Sequence, residues 1–160
     1  MTRRSRIFLP LLLLAVVLSP LASSPLSAQG KKQKPDAAAD ATFDERAAAQ
    51  VLGVLRDGLE GHSQRLLLSA FDADKMNGFL TFQDQIEAYF TRYESFRVSY
   101  HILQTSQENQ RGVILASFEI ENEPRGGGRI TRRQAQLRFE LEQGSKGWKI
   151  VDMDPRGFFF

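Results

Sequence analysis

Residues 82–102 read FQDQIEAYFTRYESFRVSYHI, and within this stretch the hydrophobic period changes from that of a helix to that of a strand. The first half carries apolar residues at helical spacing, namely Phe82, Ile86, Tyr89, Phe90 and Tyr93. From Ser95 onward apolar and polar residues alternate, with the apolar ones at Phe96, Val98, Tyr100 and Ile102. The stretch therefore predicts a helix that leads directly into a long β-strand.

Two more helices are predicted upstream of this stretch. Thr42, followed three residues later by Glu45, has the pattern of a capping box that starts a helix. Apolar residues then recur every four positions on one face, at Phe43, Ala47, Val51, Leu55 and Leu59. We expect Gly58 and Gly61 to end this helix, Ser63 to start a short second one, and Thr81 with Asp84 to start the third.

Three more strands are predicted downstream, over residues 113–120, 129–142 and 148–153. Short polar segments separate these three strands, and the first segment contains the run Gly126-Gly127-Gly128. Consecutive strands joined by short turns pair antiparallel. Helices followed by a run of strands indicate an α+β fold, with the helices packed on one face of the sheet.

The order of these elements, together with the closing segment Gly147-Trp148-Lys149-Ile150-Val151-Asp152, resembles the nuclear transport factor 2-like (NTF2-like) superfamily. That superfamily includes ketosteroid isomerase and SnoaL-type proteins, and the resemblance covers about residues 43–156. It implies three N-terminal helices packed in a strongly curved four-stranded antiparallel sheet, a cone-like roll. Members bind small apolar ligands, isomerise, dehydrate or hydrolyse them, or only dimerise and dock onto other proteins. The fold alone does not choose among these functions.

The N-terminus has the layout of a bacterial secretory signal peptide. Arg3, Arg4 and Arg6 precede an apolar run over residues 7–18, and a segment rich in serine, proline and alanine ends at Ala28. The apolar run is too short to span a bilayer as a helix, which disfavours the alternative of an uncleaved anchor. We therefore expect cleavage after about Ala28, a secreted or periplasmic location, a flexible mature N-terminus over residues 29–42, and one domain over residues 43–160.

The chain's net charge of +2 comes from this N-terminal segment. Without its three arginines, 18 basic side chains remain against 19 acidic ones, and residues 43–160 alone carry a formal net charge of −2. A domain with this charge gives no compositional reason to expect a nucleic-acid partner. We expect no stable membrane anchor once the signal is removed.

The chain has no cysteine and only two histidines, so neither a thiolate site nor a paired-histidine zinc site is predicted. We expect no metal and no cofactor. Two carboxylates, Asp152 and Asp72, are the candidates for a general base, with Tyr93 as a candidate hydrogen-bond donor. Asp152 shares its strand phase with Trp148 and Ile150, so it would lie in an apolar pocket if that face points inward. The alternative is an exposed aspartate or an ion-pair partner of an arginine.

Four aromatic residues are candidates for lining a ligand pocket: Tyr89, Tyr93, Tyr100 and Trp148. The alternative is that they are ordinary core residues. The chain ends in Phe158-Phe159-Phe160, which we expect to pack onto the domain or a second subunit, since an exposed apolar terminus is costly.

The sequence favours an exported, non-catalytic domain that binds a small apolar ligand or an envelope protein, and that forms a homodimer through its sheet. The alternative is an isomerase, dehydratase or hydrolase with a buried aspartate as general base. A carboxylate and a tyrosine hydroxyl that converge in an enclosed apolar cavity would favour the enzyme, whereas an interior filled by phenylalanine and leucine would exclude it.

Overall fold

A computed structural model describes residues 42–160. The predicted signal peptide and residues 29–41 lie outside this range. The order of elements is α1 (Glu45–Glu60), α2 (Gln64–Leu68), α3 (Phe79–Arg92), β1 (Tyr93–Glu108), β2 (Arg111–Pro124), β3 (Thr131–Gly144), β4 (Gly147–Asp154) and a 3₁₀ turn (Arg156–Phe159). The four strands form one antiparallel sheet in the order β1-β2-β3-β4. The predicted α+β class and strand order are confirmed.

Helix α1 begins with a different cap from the one predicted. The side chain of Asp44, not that of Thr42, accepts a hydrogen bond from the backbone N–H of Ala47, at 2.8 Å. Asp44 directly precedes the first helical residue, so its carboxylate reaches a free N–H that Thr42 cannot. The helix then buries one face against the rest of the domain, with Ala48, Val51, Leu52, Leu55 and Leu59.

Helix α3 begins at Phe79, two residues before the predicted start at Thr81. Its N-cap is Gly78, whose φ of 72° lies in the left-handed region that favours glycine. The sharp turn at Gly78 replaces the side-chain cap that the sequence suggested. At its other end α3 passes into β1 without a loop, because Tyr93 is both the C-cap of the helix and the first strand residue.

One face of the sheet packs against the helices and is called here the inner face. Its residues are apolar almost throughout, and several side chains are fully buried: Ile114, Phe118, Ile120, Leu137, Phe139, Leu141 and Ile150. β-Bulges interrupt the register at three places. Two lie in β1, between Tyr93 and Ser95 and between Ile102 and Gln104, and the third lies at Val151 in β4, opposite Glu140 and Leu141 of β3. Bulges bend the strands that contain them and change which side chains face inward.

No helix within residues 42–160 is long and apolar enough to cross a membrane.

Candidate ligand-binding site

A polar pair lies in the interior between α3 and the inner face of the sheet. The phenol Oη of Tyr89 donates a hydrogen bond to Oδ1 of Asn122 on β2, with 2.5 Å between the oxygens. Asn122 is fully buried, and it is the only polar or charged residue in the buried core of residues 42–160. Burial raises the pKa of the Tyr89 phenol, so the hydroxyl stays protonated and available as a donor.

The amide Nδ2 of Asn122 has no hydrogen-bond partner among residues 42–160. An amide N–H₂ that loses its hydrogen bonds to water and gains none in the protein costs about 1–3 kcal/mol. An uncompensated donor in a core is uncommon, and a functional role is one explanation for keeping it. The Asn122 amide is therefore a buried donor whose partner is not among residues 42–160.

Arg133 extends the polar pair at the same end of the sheet. Arg133 lies directly opposite Ile120 in the ladder between β2 and β3, so the two residues share the inner face. Its guanidinium carbon lies 6.0 Å from the centroid of the Tyr89 ring, a cation–π distance. Nη1 of Arg133 donates to the backbone carbonyl of Phe158, at 3.2 Å. Tyr89, Asn122 and Arg133 are called the polar triad below.

The C-terminal phenylalanines pack onto this same interior. Phe158 and Phe159 are buried, and the ring of Phe158 lies 6.3 Å from that of Phe118. The rings of Phe159 and Phe160 both contact Phe82 on α3. The tail therefore packs onto its own domain, which is one of the two alternatives predicted for it; the other was a second subunit. The backbone carbonyl of Phe158 accepts the hydrogen bond from Arg133, and the rings of Phe158 and Phe159 fill the adjacent apolar volume.

The structure brings together two of the four predicted pocket residues, Tyr89 and Tyr93, and places the other two elsewhere. The rings of Tyr89 and Tyr93 lie 5.2 Å apart, and each also contacts Phe96. Tyr100 lies further along β1 and stacks on Phe118, with 5.4 Å between ring centroids. Trp148 packs instead against Phe43.

Asp152 does not lie in an apolar pocket. Its side chain is 46% exposed and forms an ion pair with Arg156, at 2.6 Å. In β4, Asp152 pairs with Glu140 while Ile150 pairs with Leu141, so Val151 is an extra, bulged residue between them. This bulge reverses the alternation, and for that reason Asp152 does not share the inner face with Ile150 as the strand phase suggested.

Asp72 also lies outside the interior. Its Oδ1 accepts hydrogen bonds from the backbone N–H groups of Asp74 and Lys75, at 3.1 and 3.2 Å. This arrangement is an aspartate-stabilised turn between α2 and α3. Neither candidate base is buried, so neither is a carboxylate enclosed in an apolar cavity, as the enzyme alternative requires.

Two of the triad residues, Asn122 and Arg133, were not among the predicted site residues, although the sequence contains a signal for both. Asn122 continues the inward phase of Ile114, Phe118 and Ile120. Arg133 continues the inward phase of Leu137 and Phe139 on the next strand. Both residues could have been predicted by searching each strand for a polar side chain at a position that faces inward. Among residues 42–160, no group of three histidine, aspartate or glutamate side chains could hold a metal ion.

Solved structures similar to this chain share its helix and strand arrangement. A conserved protein from Planctomyces limnophilus aligns with a TM-score of 0.60 and 16% identity, over 69% of this chain and 92% of that chain. An NTF2-like superfamily protein from Salmonella enterica aligns with a TM-score of 0.60 and 8% identity, over 68% and 86%. The chain has the NTF2-like fold. A ketosteroid isomerase-like protein from Erwinia carotovora aligns on the same NTF2-like fold, with a TM-score of 0.56 and 14% identity, over 69% and 95%.

At these identities the similarity establishes the NTF2-like fold and nothing about activity. A scan with protein-family models found no match, and a search of curated proteins found none.

Removal of the Tyr89 hydroxyl tests whether the buried pair contributes to stability. Tyr89→Phe leaves Oδ1 of Asn122 without its donor, and we expect the free energy of unfolding to fall by about 1–2 kcal/mol. Tyr93→Phe is the matched control, because Tyr93 lies on the same interior and its hydroxyl has no hydrogen bond to any of residues 42–160. Urea denaturation measures both. Equal losses in the two variants would mean that the Tyr89–Asn122 bond contributes nothing specific.

Proposed function

We propose that this chain is an exported, non-catalytic binding domain that takes a small apolar ligand with a hydrogen-bond acceptor. The observation that carries the proposal is the fully buried, unpaired Nδ2 of Asn122 beside Tyr89 and Arg133. A ligand carbonyl or carboxylate oxygen would accept from this amide and from the guanidinium. Such a contact offsets the cost of the unpaired donor, so an acceptor-bearing ligand gains affinity that a purely apolar one does not.

The ligand would replace the C-terminal tail in the interior. The Phe158 carbonyl is the acceptor that Arg133 now binds, and the Phe158 ring lies against Phe118. A small aromatic ketone or acid presents the same two features, an oxygen acceptor and a planar apolar body. The tail thus indicates the size and chemistry of the ligand that could exchange with it.

Two matched probes test this proposal. 2-Acetylnaphthalene has a carbonyl acceptor, and 2-ethylnaphthalene has the same shape without it. We expect the ketone to bind more tightly in a thermal-shift titration and the preference to disappear in Asn122→Leu and Arg133→Gln. Arg132→Gln is the control, because Arg132 pairs with Glu121 and is exposed on the opposite face. Equal binding of the two probes to the parent protein, or no binding of either, would refute the proposal.

The enzyme alternative is not favoured by these positions. It requires a base buried in an apolar cavity, but Asp152 is paired with Arg156 and Asp72 supports a turn. In addition, the buried core of residues 42–160 contains no carboxylate. The remaining polar groups of the interior, a phenol, an amide and a guanidinium, bind an acceptor and have no base among them to abstract a proton.

Export rests on the N-terminal segment, with its three arginines, its apolar run and Ala28. Expression in a Gram-negative host with the native N-terminus should deliver the protein to the periplasm. Mass spectrometry of that fraction should find a chain that begins near Gln29. A full-length chain retained in the cytoplasm would contradict this part of the proposal.

A homodimer through the outer face of the sheet is also proposed. That face carries two charged rows that each contain both signs: Arg97–Glu121–Arg132 at one end and Arg111–Glu140–Arg138 at the other. Between them lie Ser117 and Gln136, directly opposite each other on β2 and β3. A second copy related by a two-fold axis can therefore pair opposite charges. Sedimentation should find a dimer, and Ser117→Arg should convert it to a monomer; a monomeric parent protein would contradict the assignment.

A further inference from the structure

A groove lies between the first half of α1 and the turn that joins β3 to β4, away from the polar triad. Its volume is about 480 Å³, within the range of small-molecule sites. The apolar side chains that line it are Ala47, Val51, Val54, Ala70 and Trp148. Gln143 of β3 lines the groove and lies ten residues beyond Arg133, so about 33 Å of strand separates it from the polar triad.

Three cationic side chains surround this apolar lining: Arg46, Lys146 and Lys149. Arg46 and Lys146 are exposed and form no ion pair within residues 42–160, whereas Lys149 donates to the backbone carbonyl of Ser69. The single acidic residue of the lining, Asp44, caps α1 through Oδ1. The groove is thus cationic on a domain whose net charge is −2, and such a local excess attracts anions.

Trp148 also lines a second, polar groove, in which Glu142 forms ion pairs with both Lys75 and Arg111. The indole packs edge-on against Phe43, with 4.9 Å between ring centroids, and its Nε1–H is enclosed with no hydrogen-bond partner among residues 42–160. A buried indole N–H usually finds a partner. The unpaired donor and the cations Arg46 and Lys146 of the first groove both favour a ligand with acceptor oxygens.

We infer that this groove binds anionic amphiphiles, molecules with an apolar body and a carboxylate or similar head group. The apolar body lies on Ala47, Val51 and the Trp148 ring. The head group lies at the rim, where Arg46 and Lys146 are available for charge-assisted hydrogen bonds. This site is separate from the polar triad in position, so either proposal can fail without the other.

Trp148 is the only tryptophan of the chain, so its fluorescence reports on the two grooves that it lines, and the rim variants below assign the response to the first of them. We expect laurate, below its micelle concentration, to change the Trp148 emission of the purified full chain in a saturable manner. Dodecyltrimethylammonium has the same chain length with the opposite charge, and we expect no saturable change with it. Adamantane-1-carboxylate serves as a second arm, because it has the same head group on a compact body. If laurate alone produces a response, the groove binds an acyl chain. If adamantane-1-carboxylate alone produces one, the groove binds a compact acid.

Charge reversal at the rim gives the decisive variants. Arg46→Glu combined with Lys146→Glu should weaken laurate binding by about tenfold, because two attractive contacts become repulsive ones. Gln50→Glu, which adds one acid to the exposed wall of the groove, should weaken it to a smaller extent. Arg129→Glu is the matched control, since Arg129 is an exposed arginine in the loop before β3, at the far end of that strand. We expect it to bind laurate as the parent does.

Three results would overturn the inference. The first is that neither carboxylate changes the Trp148 emission. The second is that the ammonium probe binds as tightly as laurate, since the groove would then select only for apolar bodies. The third is that the double reversal and Arg129→Glu have the same effect while circular dichroism finds all variants folded, which would assign the binding to net charge alone.

Discussion

Gly58→Ala is expected to lower the free energy of unfolding by about 3 kcal/mol, although alanine is the better helix former. A Cβ at this position of α1 would lie 2.5 Å from the backbone nitrogen of Leu67, 2.6 Å from its Cα and 2.8 Å from its Cβ. These are mostly backbone atoms of α2, which cannot rotate away as the end of a side chain can. The short helix would have to shift as a unit, and with it the fully buried Leu67.

Gly53→Ala is the matched control within the same helix. A Cβ at position 53 would meet nothing within 4 Å, so the substitution adds helix propensity without a clash. We expect it to raise stability by about 0.5–1 kcal/mol. Urea denaturation of the two variants measures the difference between them. A Gly58→Ala protein as stable as Gly53→Ala would mean that α1 and α2 do not approach as closely as described.

The role of Gly58 also illustrates what the sequence can and cannot predict about this fold. The hydrophobic periods of residues 82–102 predicted a helix that leads directly into a strand, because those periods depend only on residues close in sequence. Gly58 was interpreted as a helix end, whereas the helix continues to Glu60. A glycine required by the close approach of another backbone has the same appearance in a sequence as one that ends a helix.

The candidate site was less predictable for a related reason. Asp152 and Ile150 are two residues apart, which places them on one face of a regular strand. The bulge at Val151 depends on pairing with β3 and leaves no local mark in the sequence. Asn122 and Arg133, by contrast, lie on regular stretches of β2 and β3 where alternation holds. The alternation of residues along a strand therefore predicts correctly which side chains face inward in the regular stretches of β2 and β3, and predicts it wrongly at the bulge in β4.

Phe159→Ala is expected to cost about 3–5 kcal/mol, the range for truncating a fully buried phenylalanine. Phe160→Ala is the control from the same tail; Phe160 is only partly buried, and we expect a loss of about 1 kcal/mol. Both values come from thermal or urea denaturation of the purified protein. If the two losses are equal, the tail frays in solution and does not hold its place in the core.

The Phe159→Ala variant also distinguishes between two interpretations of the interior, a packed core and a ligand-binding site. Phe159→Ala leaves an apolar cavity between Phe82 on α3 and Phe158, and a dry cavity of this kind takes up small aromatic molecules. We expect benzene to stabilise Phe159→Ala and to leave the parent protein unchanged. If 2-acetylnaphthalene stabilises the variant more than 2-ethylnaphthalene does, the polar triad recognises the carbonyl as soon as the tail releases the space. If both naphthalenes stabilise it equally, the variant has an apolar cavity and the Asn122 amide contributes no specificity.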